Sequence, residues 1–339
     1  MRIFFRVEAS QKIGLGHLIR SISIANTIKN TYTNTEIIFL TGDYMYSTSK
    51  IKENEFEYIT PSDQNEENFL LSNCINKNAD ILFIDKLYNY STDFILKLTK
   101  HCKVIMFHNI CDGAHLCDAF ILPAAHIGTN ILDDSRWSND KVNFYEGMEY
   151  VVLNDKIINL RKSKISGTDV ITLVLTTGGS DPAGVMLKVL NWINQIELPD
   201  ITVYALIGES FVHTEAIESL KKELKRNIIV TPYNASYFKD ANIAISTFGV
   251  STYELIYLGL VVVSIGHCEQ NALGSRILSE KCDQLIDLGN IENLSKEEFS
   301  MGLSCAIDKI RKEDITLCSI DGKGTSRVAE IILNIGKET

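Results

Sequence analysis

Along the chain, short runs of Ile, Val, Phe and Leu alternate with longer stretches in which apolar residues recur every three or four positions. The short runs fall at 2–7, 36–41, 80–84 and 103–107, and again at 170–176, 201–207, 227–231, 242–245 and 261–265. Few polar residues interrupt them, which predicts strands covered on both faces, as in parallel sheets with crossover helices. The chain therefore reads as α/β throughout. Between the two series lies DKIINLRKSKISGTD, residues 155–169, with little apolar periodicity, and the alternation restarts after it. That pattern predicts a domain boundary. The expected organisation is one Rossmann-like domain over 1–155, a second over 170–322, and a C-terminal helix within 323–339 packing back on the first domain. This last helix, in GTSRVAEIILNIG, is expected to open at Thr325 or Ser326. Two such domains facing a central cleft would take ligands at the carboxyl ends of their strands.

With 339 residues the chain is long enough for two such cores. A net charge of −10 argues against a broad nucleic-acid footprint, which needs clustered Lys and Arg. No stretch has the uninterrupted apolar length of a membrane span, and the short run at the N-terminus is broken by Arg6 and Glu8, unlike a signal peptide. Eight scattered cysteines without an export signal predict reduced thiols in a cytoplasmic protein. His101, Cys102, His108, Cys111, His115, Cys117 and His126 crowd one interval, but without paired metal-ligand spacing they read as buried thiols and loop histidines rather than a metal site.

Three glycine-bearing loops carry the candidate chemistry. In IGLGHLIR, Gly14 and Gly16 permit a tight strand-to-helix turn with His17 in the first turn of the helix. A dinucleotide fingerprint would need a third glycine where Ile19 stands, which disfavours NAD despite Asp43 after the second strand. In TTGGSDPAG, Gly178 and Gly179 precede Ser180 or Asp181 as a helix cap, with Pro182 in the first turn. This is either an ordinary helix start or a phosphate cradle. In STFGVSTYELIYLG, Gly249 makes a turn and Ser251 with Glu254 matches a capping box; Glu254 either ties back to Ser251 or accepts the hydroxyls of a ribose. Gln270 and Asn271 follow, amides suited to a sugar or phosphate.

Taken together, these three loops resemble the UDP-sugar hydrolase of the pseudaminic acid pathway and the related spore coat polysaccharide proteins, in a glycosyltransferase type B fold. The resemblance implies that His17 activates water against the anomeric carbon of a UDP-sugar. It implies that Gly14, Gly16, Gly178, Gly179, Ser180, Gly249, Ser251, Glu254, Gln270 and Asn271 surround the nucleoside diphosphate. Asp85, Tyr88, His108 and Asn109 then fall at the sugar pocket. Here the chain departs from the pattern, with Asp85-Lys86-Leu87-Tyr88 and Phe107-His108-Asn109 where those hydrolases commonly carry Asp-His-Tyr and Asp-Asp. The departures leave both sugar and acceptor open. Asp85 or His108 would orient His17. Cleavage from a diphosphate requires neither metal nor cofactor, because the leaving group is a weak base and helix-terminal amides stabilise its charge. The leading expectation is a nucleotide-sugar hydrolase; the alternatives are an inverting glycosyltransferase with the same donor and a non-catalytic nucleotide-sugar binder.

Overall fold

The computed structural model describes residues 1–10, 13–61, 65–123, 137, 142–161, 170–198 and 201–337. Two units emerge, one comprising Met1–Asn154 with Asp321–Thr339 and the other Asp155–Ile320.

The first unit is built on β1 (Arg2–Val7), β2 (Glu36–Leu40), β3 (Glu57–Ile59), β4 (Ile81–Asp85), β5 (Lys103–Phe107), β6 (Ala119–Leu122) and β7 (Asn143–Glu146). They form one sheet in the order β3-β2-β1-β4-β5-β6-β7, and every pairing is parallel. Alternate residues serve two cores. Ile3, Phe5, Val7, Phe39, Phe83 and Phe107 face the helices Gly16–Thr31 and Gly324–Lys337, whereas Phe4, Leu40, Leu82 and Ile84 face Glu66–Asn76 and Thr92–Leu98. On the first face, phenylalanine rings pack from strand to strand, with centroids 5.3 Å apart for Phe5–Phe39, 5.1 Å for Phe5–Phe83 and 5.8 Å for Phe83–Phe107.

The second unit carries β8 (Ile171–Thr176), β9 (Ile201–Ile207), β10 (Ile228–Pro232), β11 (Ile243–Thr247), β12 (Val261–Gly266) and β13 (Leu285–Asn290) in the parallel order β10-β9-β8-β11-β12-β13. In both sheets the strand order reverses once, between β1 and β4 and between β8 and β11. Connections leave opposite faces there and open a crevice at the carboxyl ends, the usual ligand position in such sheets.

Four strands have no counterpart among the predicted runs. β3, β7 and β13 are edge strands, and EYI, NFYE and LIDLGN mix polar with apolar residues because one side of each is unpaired. β6 is apolar but only four residues long.

The C-terminal helix starts at Gly324, not at Thr325 or Ser326. Thr325 is buried within the helix, so its hydroxyl is not at the capping position. Gly324 is required by close approach: a Cβ there would meet the Val151 carbonyl oxygen at 2.0 Å and its carbon at 2.6 Å. Backbone cannot give way cheaply, so Gly324→Ala is expected to destabilise the first unit by about 1–3 kcal/mol, read as a lower melting temperature.

Candidate active site

At the β1/β4 crevice, helix Gly16–Thr31 presents His17, Arg20 and Ser21, spaced so that all three share one helical face, toward the last residue of β4. That residue, Asp85, is wholly buried. His17 Nδ1 lies 2.6 Å from Asp85 Oδ1, and Arg20 Nε donates to Oδ2 at 2.6 Å. Arg20 Nη2 also donates to Oδ1, and Ser21 Oγ donates to Oδ2 at 3.1 Å. Four donors thus occupy the carboxylate's lone pairs. Burial opposes its charge, but Arg20 and His17 outweigh that and hold its pKa well below the usual range. The Arg20 guanidinium rests over Phe107, 4.9 Å from the ring centroid. His17 Nδ1 also lies 2.8 Å from Arg20 Nη2; with its proton assigned to the shorter Asp85 bond, His17 keeps its lone pair on Nε2, and its side chain remains 13% exposed. A base oriented by a buried carboxylate is the arrangement that proton abstraction requires.

A second charged cluster occupies the opposite face of the same strand ends. All five Arg6 donors are used: Nε and Nη2 to the two oxygens of Glu66 at 2.7 Å each, Nη2 to Glu8 at 2.8 Å, and Nη1 to the carbonyls of Val7 and Leu40 at 2.7 and 3.0 Å. Lys86 bridges Glu8 and Glu66 at 3.0 and 2.8 Å, and Tyr90 Oη donates to Glu66 at 2.8 Å. This cluster pins β1, β2, helix Glu66–Asn76 and the residue after Asp85 to one another. Burial disfavours the Glu66 charge, yet Arg6 and Lys86 prevail and lower its pKa to about 2.

The remaining sugar-pocket candidates have different surroundings. Tyr88 is exposed, its ring 4.8 Å from Tyr90. Asn109 is buried and its Nδ2 donates to the Tyr88 carbonyl at 2.8 Å, holding the loop after β4. His108 adopts φ 59° and its N–H donates to the Ile121 carbonyl at 2.9 Å. Asp85 is the carboxylate that contacts His17. Gly14 adopts φ 83° and its N–H donates to the Ser10 carbonyl at 2.8 Å, which closes the turn before Gly16 begins the helix.

In the second unit, Gly178 (φ 78°) and Gly179 follow β8 and face open space, with nothing within 4 Å of where either Cβ would stand. Asp181, not Ser180, caps the next helix: its carboxylate accepts from Val185 N and Met186 N at 2.9 Å each. The helix begins at Val185, so Pro182 lies in the preceding turn rather than the first helical one. His213 Nε2 and the Asp181 carbonyl oxygen, 2.9 Å apart, close this loop from the side. Burial raises the pKa of Asp181, and burial lowers that of His267, which faces the Asp181 charge.

The expected Ser251–Glu254 capping box does not form. The helix after β11 starts at Val250, with Gly249 as its cap residue, so Ser251 already lies inside the helix. Thr252 takes the role instead, its Oγ1 accepting the Gly249 N–H at 3.2 Å. The pattern S-x-x-E does form a box at Ser295–Glu298, where Ser295 Oγ accepts Glu298 N at 3.2 Å and Glu298 Oε2 accepts Ser295 N at 2.9 Å. Glu254 instead lies near Tyr233, after β10; burial and this carboxylate push the tyrosine pKa up to about 12. Gln270 is exposed in the first turn of helix Glu269–Ser279, while Asn271 Nδ2 donates to the Phe248 carbonyl at 3.2 Å and joins two of the loops. The N–H groups of Val250 and Ser251, and those of the first turn of the helix opening at Glu269, lie beyond the reach of intrahelical acceptors, leaving donors suited to an anion.

Comparison with known proteins bears on this geometry. No family model matches the chain. An uncharacterized protein of Methanocaldococcus jannaschii is 26% identical over 272 residues, 78% of this chain and 55% of its own, so the chain spans only about half of that relative. Spore coat polysaccharide biosynthesis protein SpsG of Bacillus subtilis is 23% identical over 356 aligned positions, covering 99% of this chain and 98% of its own. Among solved structures, MurG of Acinetobacter baumannii matches with a TM-score of 0.65 at 11% identity, over 98% of this chain and 99% of that one. The fold is of the glycosyltransferase B type. UDP-GlcNAc 2-epimerase of Neisseria meningitidis, solved with UDP-GlcNAc bound, shares it with a TM-score of 0.62 at 11% identity, over 98% of this chain and all of that one.

In the first unit the structure joins His17 to Asp85 and adds Arg20 and Ser21, and in the second it sets Tyr233 near Glu254; sequence reasoning gave none of these three a role. Arg20 was within reach of it, standing three residues after His17 on a helix. In the Cys/His-rich interval, Cys102 and Cys117 are buried, with Sγ atoms 3.8 and 3.1 Å from the carbonyls of Leu98 and Ala119; His126 lies outside the described residues. No helix among the described residues is long and apolar enough to cross a membrane.

Proposed function

We propose that the protein is a nucleotide-sugar hydrolase of surface-polysaccharide or nonulosonic acid biosynthesis, cleaving the anomeric C–O bond of a UDP-linked deoxy-amino sugar and releasing UDP. One observation carries the reading: the 2.6 Å bond from His17 to buried Asp85, which leaves Nε2 to take a proton from attacking water. The second unit is assigned the nucleotide. Gly178, Gly179, Ser180 and the amides at Val250 and Ser251 hold the diphosphate, Glu254 holds the ribose hydroxyls, and Gln270 and Asn271 complete the site. Support comes from the spore coat polysaccharide relative and from the UDP-GlcNAc complex of the type B epimerase. The base needs no metal, since UDP departs with a terminal phosphate dianion that amide donors stabilise.

A second reading, an inverting glycosyltransferase, is favoured by Ile13, Met45, Leu87 and Ile110. These exposed apolar side chains lie on three loops and, for Met45, at a helix start, all after carboxyl ends of strands in the first sheet, where an acceptor with an apolar portion would meet them. An exposed apolar face near 120–135 would also favour transfer; of that interval Phe120–Leu122 are buried, and 124–135 lie outside the described residues. Incubation with UDP-sugars and no acceptor separates the two. Steady UDP release with free sugar supports hydrolysis; release only when a saccharide or lipid-linked acceptor is added supports transfer. Return of a UDP-linked epimer without UDP release would reject both.

A further inference from the structure

After helix Lys296–Lys312 the chain runs back as a strap along the residues that precede β13. Thr316 N donates to Asp283 Oδ2 at 2.9 Å and Cys318 N donates to Gln284 Oε1 at 2.7 Å. Gln284 is itself fixed, its Nε2 donating to the Ile256 and Leu260 carbonyls at 3.0 and 3.1 Å. Lys309 reaches Asp283 Oδ1 at 2.5 Å. Residues 282–284 therefore grip the strap in succession, and at the first of them the grip is made by sulfur. The thiols of Cys282 and Cys318 hydrogen-bond to one another, Cys282 buried and Cys318 half-buried.

We propose that Cys282 and Cys318 form a reversible dithiol–disulfide site, oxidised by a small peroxide, that locks the strap to the edge of the second sheet. The hydrogen bond between the two thiols lowers the pKa of Cys318 and, together with burial, raises that of Cys282. Cys318, the more accessible of the two, is the thiol that a peroxide reaches first. The Cys318 thiolate attacks a peroxide oxygen and the O–O bond breaks, giving a sulfenic acid and hydroxide. Cys282 sulfur then attacks the sulfenic sulfur, its proton leaves with the hydroxyl as water, and the S–S bond forms. In sum, two thiols and one hydrogen peroxide give one disulfide and two waters.

Cys74, Cys102, Cys268 and Cys305 each lack access or a partner thiol, and Cys117, the buried neighbour of half-buried Cys111, directs its thiol to the Ala119 carbonyl at 3.1 Å. Cys268 and Cys305 are exposed, but Cys268 directs its proton to Asn271 Oδ1 at 2.8 Å. Cys74 and Cys102 also hydrogen-bond to each other, but both are buried in the first core and closed to an oxidant. Access and pairing coincide at Cys282–Cys318. The bond would close a covalent loop around helix Lys296–Lys312 and fix a strap that ends at Ile320, one residue before the chain enters the first unit.

The test is peptide mapping of the full-length protein after hydrogen peroxide treatment, with remaining thiols alkylated. The expected result is a linked peptide pair joining Cys282 and Cys318, two hydrogens lighter than the reduced pair and reversed by dithiothreitol. It should persist in Cys268→Ser/Cys305→Ser and be absent in Cys318→Ser. The linked form should melt several degrees higher than the reduced one, since the cross-link restricts the unfolded chain. The proposal is overturned if Cys282 and Cys318 both stay alkylatable at a dose that oxidises Cys268 or Cys305, or if Cys74–Cys102 links first. Nothing in this test depends on the enzymatic reading.

Discussion

His17→Ala is expected to lower turnover of the UDP-linked substrate by about three orders of magnitude, within the range that positioned acid–base groups contribute, and to leave UDP affinity within a few-fold. The split follows from where His17 sits. It belongs to the first unit, bonded to Asp85, whereas the residues assigned to UDP belong to the second. Removing the imidazole takes away the proton acceptor but none of the amide donors. Added imidazole should restore part of the rate, which a merely structural histidine would not allow. Steady-state kinetics and calorimetric UDP binding on the same preparation decide the matter. Unchanged turnover removes His17 from the mechanism; lost UDP binding with unchanged turnover of bound substrate reverses its assignment.

Arg6→Met should be the most destabilising single change in the first unit, at about 3–5 kcal/mol, because it strands buried carboxylates without their main cation. Glu66 would keep Lys86 and Tyr90 but lose two bonds of 2.7 Å, and the Val7 and Leu40 carbonyls would lose their donor. A fall in the urea midpoint at neutral pH measures it. The same cluster sets an acid limit. Glu66 titrates at about 2 in the folded protein against an ordinary value of 4.5, so its contribution is complete above about 4.5 and disappears as the pH falls toward 2. Asp85, also held below its usual range, adds to the same loss. In Arg6→Met, where Glu66 is less depressed, the acid limb should be shallower; an identical limb in both proteins would show that the cluster does not govern acid stability.

These residues also show what a sequence reveals and what it conceals. Buried central strands were legible because both faces demand apolar residues, so runs such as IFF and VVV stand out. β3, β7 and β13 were not, since an edge strand satisfies fewer constraints. His17 was legible as a candidate from its place at a glycine turn, but its partner Asp85 is 68 residues away, and only strand order brings them together. Arg6 is the sharper case. Along the chain it reads as a polar interruption of an apolar run, yet in the fold it is the buried centre that aligns three strand ends. The Ser251–Glu254 pattern failed for a local reason: with Gly249 as cap residue the helix starts two residues earlier than that pattern requires, and Thr252 rather than Glu254 stands three places after the cap.

The discontinuous composition of the first unit bears on how the protein is made. Residues 1–154 emerge from the ribosome without helix Gly324–Lys337, whose Val328, Ile332 and Ile335 cover part of the same core as Ile3, Phe83 and Ile105. Until that helix is synthesised, part of one face of the nascent first sheet lacks its cover, while residues 155–320 already hold everything their own core needs. The unit that is translated first is thus the last to mature, and a ribosome stalled before residue 324 would release a chain with one finished half and one in need of a chaperone.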